Sequence, residues 1–125
     1  SDKYKHSFTY AKDAAIGTAM LGNTHSAYNQ IWHLPTDNNV LTGKEFIELT
    51  AKEFGVKPGY MNVPKWMLQV LGLFSSIIKE SVEMTYQNDS DYLFSSGKFE
   101  KAFSFKPTSY ADGIKETVSQ ITINK

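Results

Sequence analysis

Near the start of the chain, the apolar residues change from the spacing of a strand to that of a helix. Phe8 to Tyr10 is aromatic and β-branched, which is typical of a half-buried strand. Ala14 to Leu21 is rich in strong helix formers, and Asp13 stands where a carboxylate can accept the free N–H groups of a first turn. The pattern therefore predicts a strand, a tight turn and a helix with Asp13 as its N-terminal cap.

A second strand is predicted a short distance further on. Gly22-Asn23 is a stop signal for the first helix, and a polar connection follows it. Residues 30–34 then alternate between apolar and polar, which predicts a strand with Ile31 and Trp32 on opposite faces. Strand, helix and strand in this order predict a βαβ unit, whose crossover is right-handed in nearly all known proteins.

The clearest start signal for a helix lies at Thr42. Glu45 follows three residues later, and this pair has the spacing of a capping box. Apolar residues at helical spacing continue to Phe54, and Gly55 is a suitable C-terminal stop. We therefore predict a helix between Thr42 and Gly55.

The second half of the chain is predicted to be mostly helical. Lys57 to Val63 is expected to form a third strand. The apolar pattern from about 64 to 88, with Pro64 in a first turn, predicts two helices or one kinked helix. A short helix is expected at Lys98 to Phe103 and a final one at Ser109 to Ile121.

Composition places these elements in one globular domain. The chain has 125 residues, of which 41% are hydrophobic, and this is typical of a folded domain. We predict an α/β fold over residues 1–125, with a small, mostly parallel sheet of about three short strands packed with about four or five helices. The net charge is zero and no apolar run is as long as a transmembrane segment, so neither a nucleic-acid nor a membrane partner is expected.

The residue types that are missing exclude several kinds of chemistry. The absence of cysteine excludes disulfides, cysteine-ligated zinc and a thiol nucleophile, and it favours a cytoplasmic location. Because all 13 cationic residues are lysine, the planar bidentate fork that arginine offers to phosphate is unavailable. The three histidines form no HxH or HxxxH pair, so no metal site is predicted.

Five segments occur in an order that is known from one enzyme family. They are Phe8–Ala15, Tyr28–Leu34, Leu41–Phe46, Ser96–Thr108 and Tyr110–Val118. The first is similar to F-V-Y-V-x-D-V-A, the fourth to D-x-S-K…L-G-[WF]-x-P and the fifth to e-e-G-l-x-x-T-v. Over residues 6–118 the chain thus resembles the extended short-chain dehydrogenases, the NAD-dependent epimerase/dehydratase family.

This resemblance implies a carboxyl-terminal, substrate-binding lobe without its amino-terminal Rossmann domain. The parent enzyme would be an NAD(P)-dependent epimerase, dehydratase or reductase of a sugar-like or other small alcohol or carbonyl substrate. In the family, the dinucleotide glycines and the Tyr-x-x-x-Lys pair lie in the Rossmann part. No catalytic residue is therefore expected here, and NAD or NADP should bind the parent, expected as a homodimer, but not this lobe alone.

The candidate substrate-binding residues are His6, Phe8 and Tyr10, with Lys98 as a further candidate. The first three lie at the carboxyl end of the predicted first strand, where ligands bind in open α/β sheets. His6 stands where sugar-nucleotide members of the resembled family have a phosphate-contacting arginine, so we expect a less anionic substrate. Lys98 is retained from the D-x-S-K motif, whereas its Asp and Ser positions hold Ser95 and Gly97.

Two other interpretations remain open at this point. The chain could be a free-standing α/β module that binds a small ligand or a protein and has no catalytic activity. It could also be a purely structural domain in which Phe8 and Tyr10 only pack a core. The structural interpretation predicts no concave cluster around His6 and Tyr10.

Overall fold

The computed structural model describes residues 2–61, 63–73, 75, 80 and 90–123. Within these ranges the chain forms α-helices joined by irregular segments, with one short 3₁₀-helix at His25–Ala27. The helices are α1 (Ala11–Gly22), α2 (Gly43–Glu53), α3 (Lys65–Gly72), α4 (Gly97–Phe103) and α5 (Tyr110–Ile123). The described residues contain no β-strand, so the predicted α/β fold with a parallel sheet is wrong.

The predicted strands fail because their backbone groups do not meet a neighbouring strand. Pairing occurs only at two isolated bridges in the described part, between Lys5 and Thr42 (antiparallel) and between His6 and Tyr92 (parallel). The N–H of Phe8 instead donates to the side-chain oxygen of Tyr110. Strand propensity describes how well a side chain suits a pleated surface, and it does not supply the partner strand.

The segment 30–34 keeps the predicted alternation without forming a strand. Ile31 is exposed, whereas Trp32 turns inward and packs its ring on Phe99 and Phe103. The Trp32 indole N–H donates to Ala27 O at 2.9 Å, which joins two residues close in the sequence and not two neighbouring strands. The predicted βαβ unit is therefore absent, and so is the third strand at 57–63 as far as those residues are described.

The start of α1 also differs from the prediction. The N-cap residue is Tyr10, which makes no side-chain capping bond, and Asp13 is the third helical residue. The Asp13 carboxylate is 4% exposed and accepts hydrogen bonds from the N–H and the hydroxyl of Thr108, at 2.7 and 2.9 Å. Asp13 is therefore not the predicted cap, because a partner 95 residues away takes its oxygens and joins α1 to the start of α5.

The capping box predicted at Thr42 and Glu45 is present. The Thr42 N–H donates to Glu45 Oε2 at 2.8 Å, and the Glu45 N–H donates to Thr42 Oγ1 at 3.2 Å. Beyond the end of α2, Gly55 has a φ of +67°, a conformation in which residues with a Cβ are strained. The predicted helix and its stop are both confirmed.

The core is built around Phe99 of α4, which is fully buried. Its ring lies 4.6 Å from that of Phe103 and 5.7 Å from that of Phe105, measured between centroids. Gly17 lets α1 approach this cluster closely, since a Cβ there would lie 2.9 Å from Pro35 Cδ. The positions of α4 and α5 agree with the prediction.

The apolar pattern predicted to be helical from 64 to 88 is only partly covered. Helix α3 falls inside it and begins directly after Pro64. Most of the rest of that prediction lies outside the described residues, including Phe74, Ile77, Ile78, Val82, Met84 and Tyr86. Among the helices that are described, none has the length and apolar character needed to cross a bilayer.

Candidate ligand-binding site

The segment before α1 is held on both sides by main-chain hydrogen bonds. The His6 N–H donates to Leu41 O at 3.2 Å, and the Ser7 N–H donates to Tyr92 O at 3.0 Å. Tyr92 in turn donates its N–H to Lys5 O at 2.9 Å. The backbone of residues 5–7 is therefore fixed between two distant parts of the chain, and the side chains that follow are presented at defined positions.

A cavity of about 300 Å³ opens beside this segment, between α2 and α5. Phe8, Tyr10 and neighbouring residues form one wall, α2 a second and α5 a third. The full lining is Phe8, Thr9, Tyr10, Ala11, Phe46, Thr50, Phe54, Thr108, Ser109, Tyr110, Gly113, Ile114, Thr117, Val118 and Ile121. The two helices that bound the cavity also contact each other.

Three aromatic rings line the cavity next to the first turn of α5. Phe8 lies 4.9 Å from Phe46, and Phe46 lies 6.4 Å from Tyr110 in an edge-to-face arrangement. Such pairs prefer offset or edge-to-face geometry, which keeps each ring in one orientation. The cavity therefore has a rigid aromatic wall.

Tyr110 carries the one hydroxyl in this wall whose proton has no acceptor among the described residues. Its oxygen accepts the Phe8 N–H at 3.0 Å. Burial raises the pKa of Tyr110, the Phe8 hydrogen bond opposes that shift and nearby Asp37 adds to it. Since the net shift is upward, the phenol stays protonated at neutral pH and can donate a hydrogen bond.

Tyr10 belongs to the same wall as Phe8 and packs on Gly113 of α5. Its hydroxyl is influenced by Glu116, whose Oε1 accepts from Lys12 Nζ at 3.0 Å. Partial burial and then Glu116 raise the pKa of Tyr10, while the hydrogen bonds from Lys12 and Tyr10 lower the pKa of Glu116. The ring of Tyr10 also covers Gly113, where a Cβ would lie 3.2 Å from it.

His6 stands next to the cavity rather than in its wall. Its ring is 6.3 Å from that of Phe8, and its Nε2 is buried with no hydrogen-bond partner among the described residues. A buried nitrogen without a partner costs about 1–3 kcal/mol. Because the atom has almost no accessible surface, a molecule in the cavity could satisfy it only if the His6 ring turned toward the cavity.

Lys98 lies elsewhere. Its Nζ sits 4.0 Å from the centroid of the Trp32 ring and donates to Ile31 O at 3.0 Å. These contacts anchor α4 to the segment 31–32, and Lys98 does not line the cavity. The structure thus brings Phe8, Tyr10 and His6 together and separates Lys98 from them.

Sequence reasoning did not single out Phe46, Tyr110 or Thr117 as site residues. The first two appear in the apolar faces predicted for the second and the last helix. Helical spacing indicates which residues turn inward, but it does not show where two faces leave a space between them. That space depends on how α2 and α5 meet.

Comparisons of the chain with protein-family models, with curated proteins and with solved structures give no match. No group of three or more potential metal ligands occurs in the part of the chain that the structure describes. The arrangement therefore offers binding chemistry: an apolar cavity, one free phenol proton and one buried imidazole nitrogen without a partner.

Proposed function

We propose that this chain provides the substrate-binding part of an NAD(P)-dependent epimerase, dehydratase or reductase. The five ordered motifs support this proposal, because residues 6–118 resemble that family segment by segment. The substrate would be a small alcohol or carbonyl compound with little negative charge. The absence of cysteine suits a reducing compartment, and we propose the cytoplasm.

The observation that carries the proposal is the buried Nε2 of His6 beside the aromatic wall. Binding sites for small molecules combine an apolar cavity with a few polar groups that fix the orientation of the ligand. Here the cavity is next to Phe8, and His6 adds a polar atom that the described residues leave unsatisfied. A substrate hydroxyl or carbonyl would remove that cost if the His6 ring turned its Nε2 into the cavity.

We propose that NAD or NADP binds the parent enzyme and not this chain alone. The first turns of α1, α2 and α5 contain Asp13, Glu45 and Asp112, and a carboxylate at a helix start disfavours a bound phosphate. The Glu45 carboxylate already accepts the N–H of Thr42. We therefore assign the dinucleotide to a Rossmann domain of the parent enzyme, together with the catalytic Tyr-x-x-x-Lys pair.

The test begins with the coding sequence upstream of Ser1. An in-frame G-x-x-G-x-x-G and a Tyr-x-x-x-Lys are expected. The protein from that full reading frame should then act in one of two ways: as a reductase it oxidises NADH or NADPH with a panel of uncharged aldehydes and ketones, and as an epimerase or dehydratase it converts an uncharged sugar-like alcohol with no net oxidation of the cofactor. Replacing the tyrosine of the pair by phenylalanine should abolish either activity. A start codon directly before Ser1 would contradict the proposal.

A free-standing ligand-binding module is the second candidate. It is favoured by one observation, that the cavity is bounded by described residues of this chain alone. Binding of a small ligand without any dinucleotide-dependent turnover by the full reading frame would favour this candidate.

A further inference from the structure

We infer that the cavity between α2 and α5 receives the uncharged, apolar portion of the substrate, and that Tyr110 Oη donates a hydrogen bond to a carbonyl or hydroxyl oxygen next to it. This inference rests on the proposed function and specifies the substrate class. It places the apolar part of the ligand on the side of Phe8 away from the His6 nitrogen.

The size of the cavity argues for an occupant. Pockets for small molecules begin at roughly 300 Å³. The cavity reaches about 300 Å³. At its rim, Phe8, Phe54 and Ile121 are each between 43% and 45% exposed, so three large apolar side chains leave surface that a ligand could cover.

The lining argues for an uncharged ligand. It contains no lysine, histidine, aspartate or glutamate among the described residues. An ion in an apolar cavity would lose its hydration without gaining a partner of opposite charge. The anionic part of a substrate is therefore excluded from this space.

The hydroxyls of the lining argue for a single polar contact. Those of Thr50 and Thr117 donate to main-chain carbonyls of their own helices, at 2.8 and 2.7 Å. Those of Thr9, Thr108 and Ser109 are bonded to Thr36, Asp13 and Asp112, and the Glu116 carboxylate attracts the proton of Tyr10, whose pKa it raises. Among the described residues no acceptor is bonded to the Tyr110 proton, and its oxygen already accepts the Phe8 N–H, so Tyr110 can donate to a ligand oxygen.

The first experiment titrates the 125-residue chain with N-phenyl-1-naphthylamine, an uncharged probe that fluoresces in apolar surroundings. Saturable binding is expected, and Thr117→Phe, which fills the cavity from α5, should weaken it at least about tenfold. Thr122→Phe is the matched control. Thr122 lies on the same helix and makes the same kind of bond to a main-chain carbonyl, but it is outside the lining, so affinity should stay within about twofold.

A second blocking variant guards against loss of folding. Thr50→Phe fills the cavity from α2, and circular dichroism should show native helix content in all three variants. Absence of saturable binding to the unmodified chain, or unchanged affinity in both folded blocking variants, would overturn the inference.

Charge and hydrogen bonding are tested with two related probes. 1-Anilinonaphthalene-8-sulfonate has the same skeleton with an added anion and should bind at least about tenfold more weakly. Equal affinity would contradict an uncharged ligand. Prodan carries a carbonyl, so Tyr110→Phe should weaken its binding roughly 3- to 10-fold while leaving N-phenyl-1-naphthylamine within about twofold. An unchanged Prodan affinity would contradict the role of Tyr110.

These titrations need neither cofactor nor turnover, so the two proposals can fail separately. A protein that binds the probes in the cavity but shows neither NAD(P)H oxidation nor epimerisation or dehydration contradicts only the proposed function. A full-length enzyme whose turnover of uncharged carbonyl compounds is unaffected by Thr117→Phe contradicts only the assignment of the cavity.

Discussion

Replacing Asp13 by alanine should destabilise the chain more than any loss of a helix cap. The Asp13 carboxylate is 4% exposed and accepts two hydrogen bonds from Thr108. A hydrogen bond to a charged group contributes about 1.5–3 kcal/mol, and an N-cap about 0.5–2 kcal/mol. Because the half-buried Thr108 can regain some water in the variant, we expect a loss of about 3 kcal/mol in the free energy of unfolding.

The matched control is Asp112→Ala. Asp112 follows Ser109 in the first turn of α5, and its side chain is exposed and bonded only to that neighbouring Ser109. Both variants lose an acidic residue near a helix N-terminus, but only Asp13→Ala loses a contact between distant segments. The control should lose about 1 kcal/mol, so the difference isolates the Asp13–Thr108 contact.

Urea unfolding followed by circular dichroism measures both variants, and a double-mutant cycle with Thr108→Val measures the coupling. Thr108→Val removes the hydroxyl donor and keeps the N–H, so a coupling of at least about 1 kcal/mol is expected with Asp13→Ala. If Asp13→Ala and Asp112→Ala destabilise equally and the coupling is zero, the buried contact between α1 and the start of α5 does not hold.

Two further predictions concern Gly17 and Glu45, and a third concerns binding of the cofactor. Gly17→Ala should cost about 1–3 kcal/mol, because its Cβ would lie 2.9 Å from Pro35 Cδ, whereas Gly22→Ala meets nothing within 4 Å and should be neutral or stabilising in thermal unfolding. Hydrogen bonds from the main chain and hydroxyl of Thr42 hold the pKa of the Glu45 carboxyl below its usual value. The folding stability that these bonds contribute is therefore fully present above the ordinary pKa and is lost as the pH falls through the lowered pKa. A urea series from about pH 5 to pH 3 should therefore show a smaller loss of stability for Glu45→Gln, which still accepts the hydrogen bonds but does not titrate, and equal losses would contradict this. Titration of the 125-residue chain against NADH fluorescence should show no micromolar binding, and micromolar affinity would mean that a dinucleotide site is present here after all.

Much of the helical structure could be predicted because its signals are local. The capping box depends on two side chains three residues apart, and Gly55 needs only its own positive φ. The last helix followed from the spacing of Ile114 and Val118, which are buried as expected. These features depend on neighbours within one or two turns, and the sequence contains those neighbours.

The prediction of a sheet is wrong because the groups that bond the predicted strands lie far away in the sequence. The aromatic and β-branched residues from Phe8 to Tyr10 indicated a strand, but the Phe8 N–H bonds to Tyr110, 102 residues away. The prediction that Asp13 caps α1 is wrong for the same reason, since its partner Thr108 lies 95 residues away. Patterns along the chain do not report which distant group will reach a given atom.

The candidate site was anticipated only in part. The sequence indicates His6, Phe8 and Tyr10 as site residues. In the structure Phe8 and Tyr10 line the cavity, and His6 lies beside Phe8. Lys98 was named with them, but it packs on Trp32. The cavity itself depends on the packing of α2 against α5, and helical periodicity does not encode that packing.

The most direct test of the central proposal is His6→Arg in the protein that the full reading frame encodes. Relative kcat/KM is measured for the phosphorylated and unphosphorylated forms of one substrate. The control is His25→Arg, because His25 stacks on Tyr28, whereas His6 lies beside the lining residue Phe8. If His6 faces the substrate, the arginine should raise the ratio in favour of the phosphorylated form by well over twofold, while the control leaves it unchanged. A ratio that stays within about twofold, which corresponds to ~0.4 kcal/mol, would show that His6 does not contact the substrate.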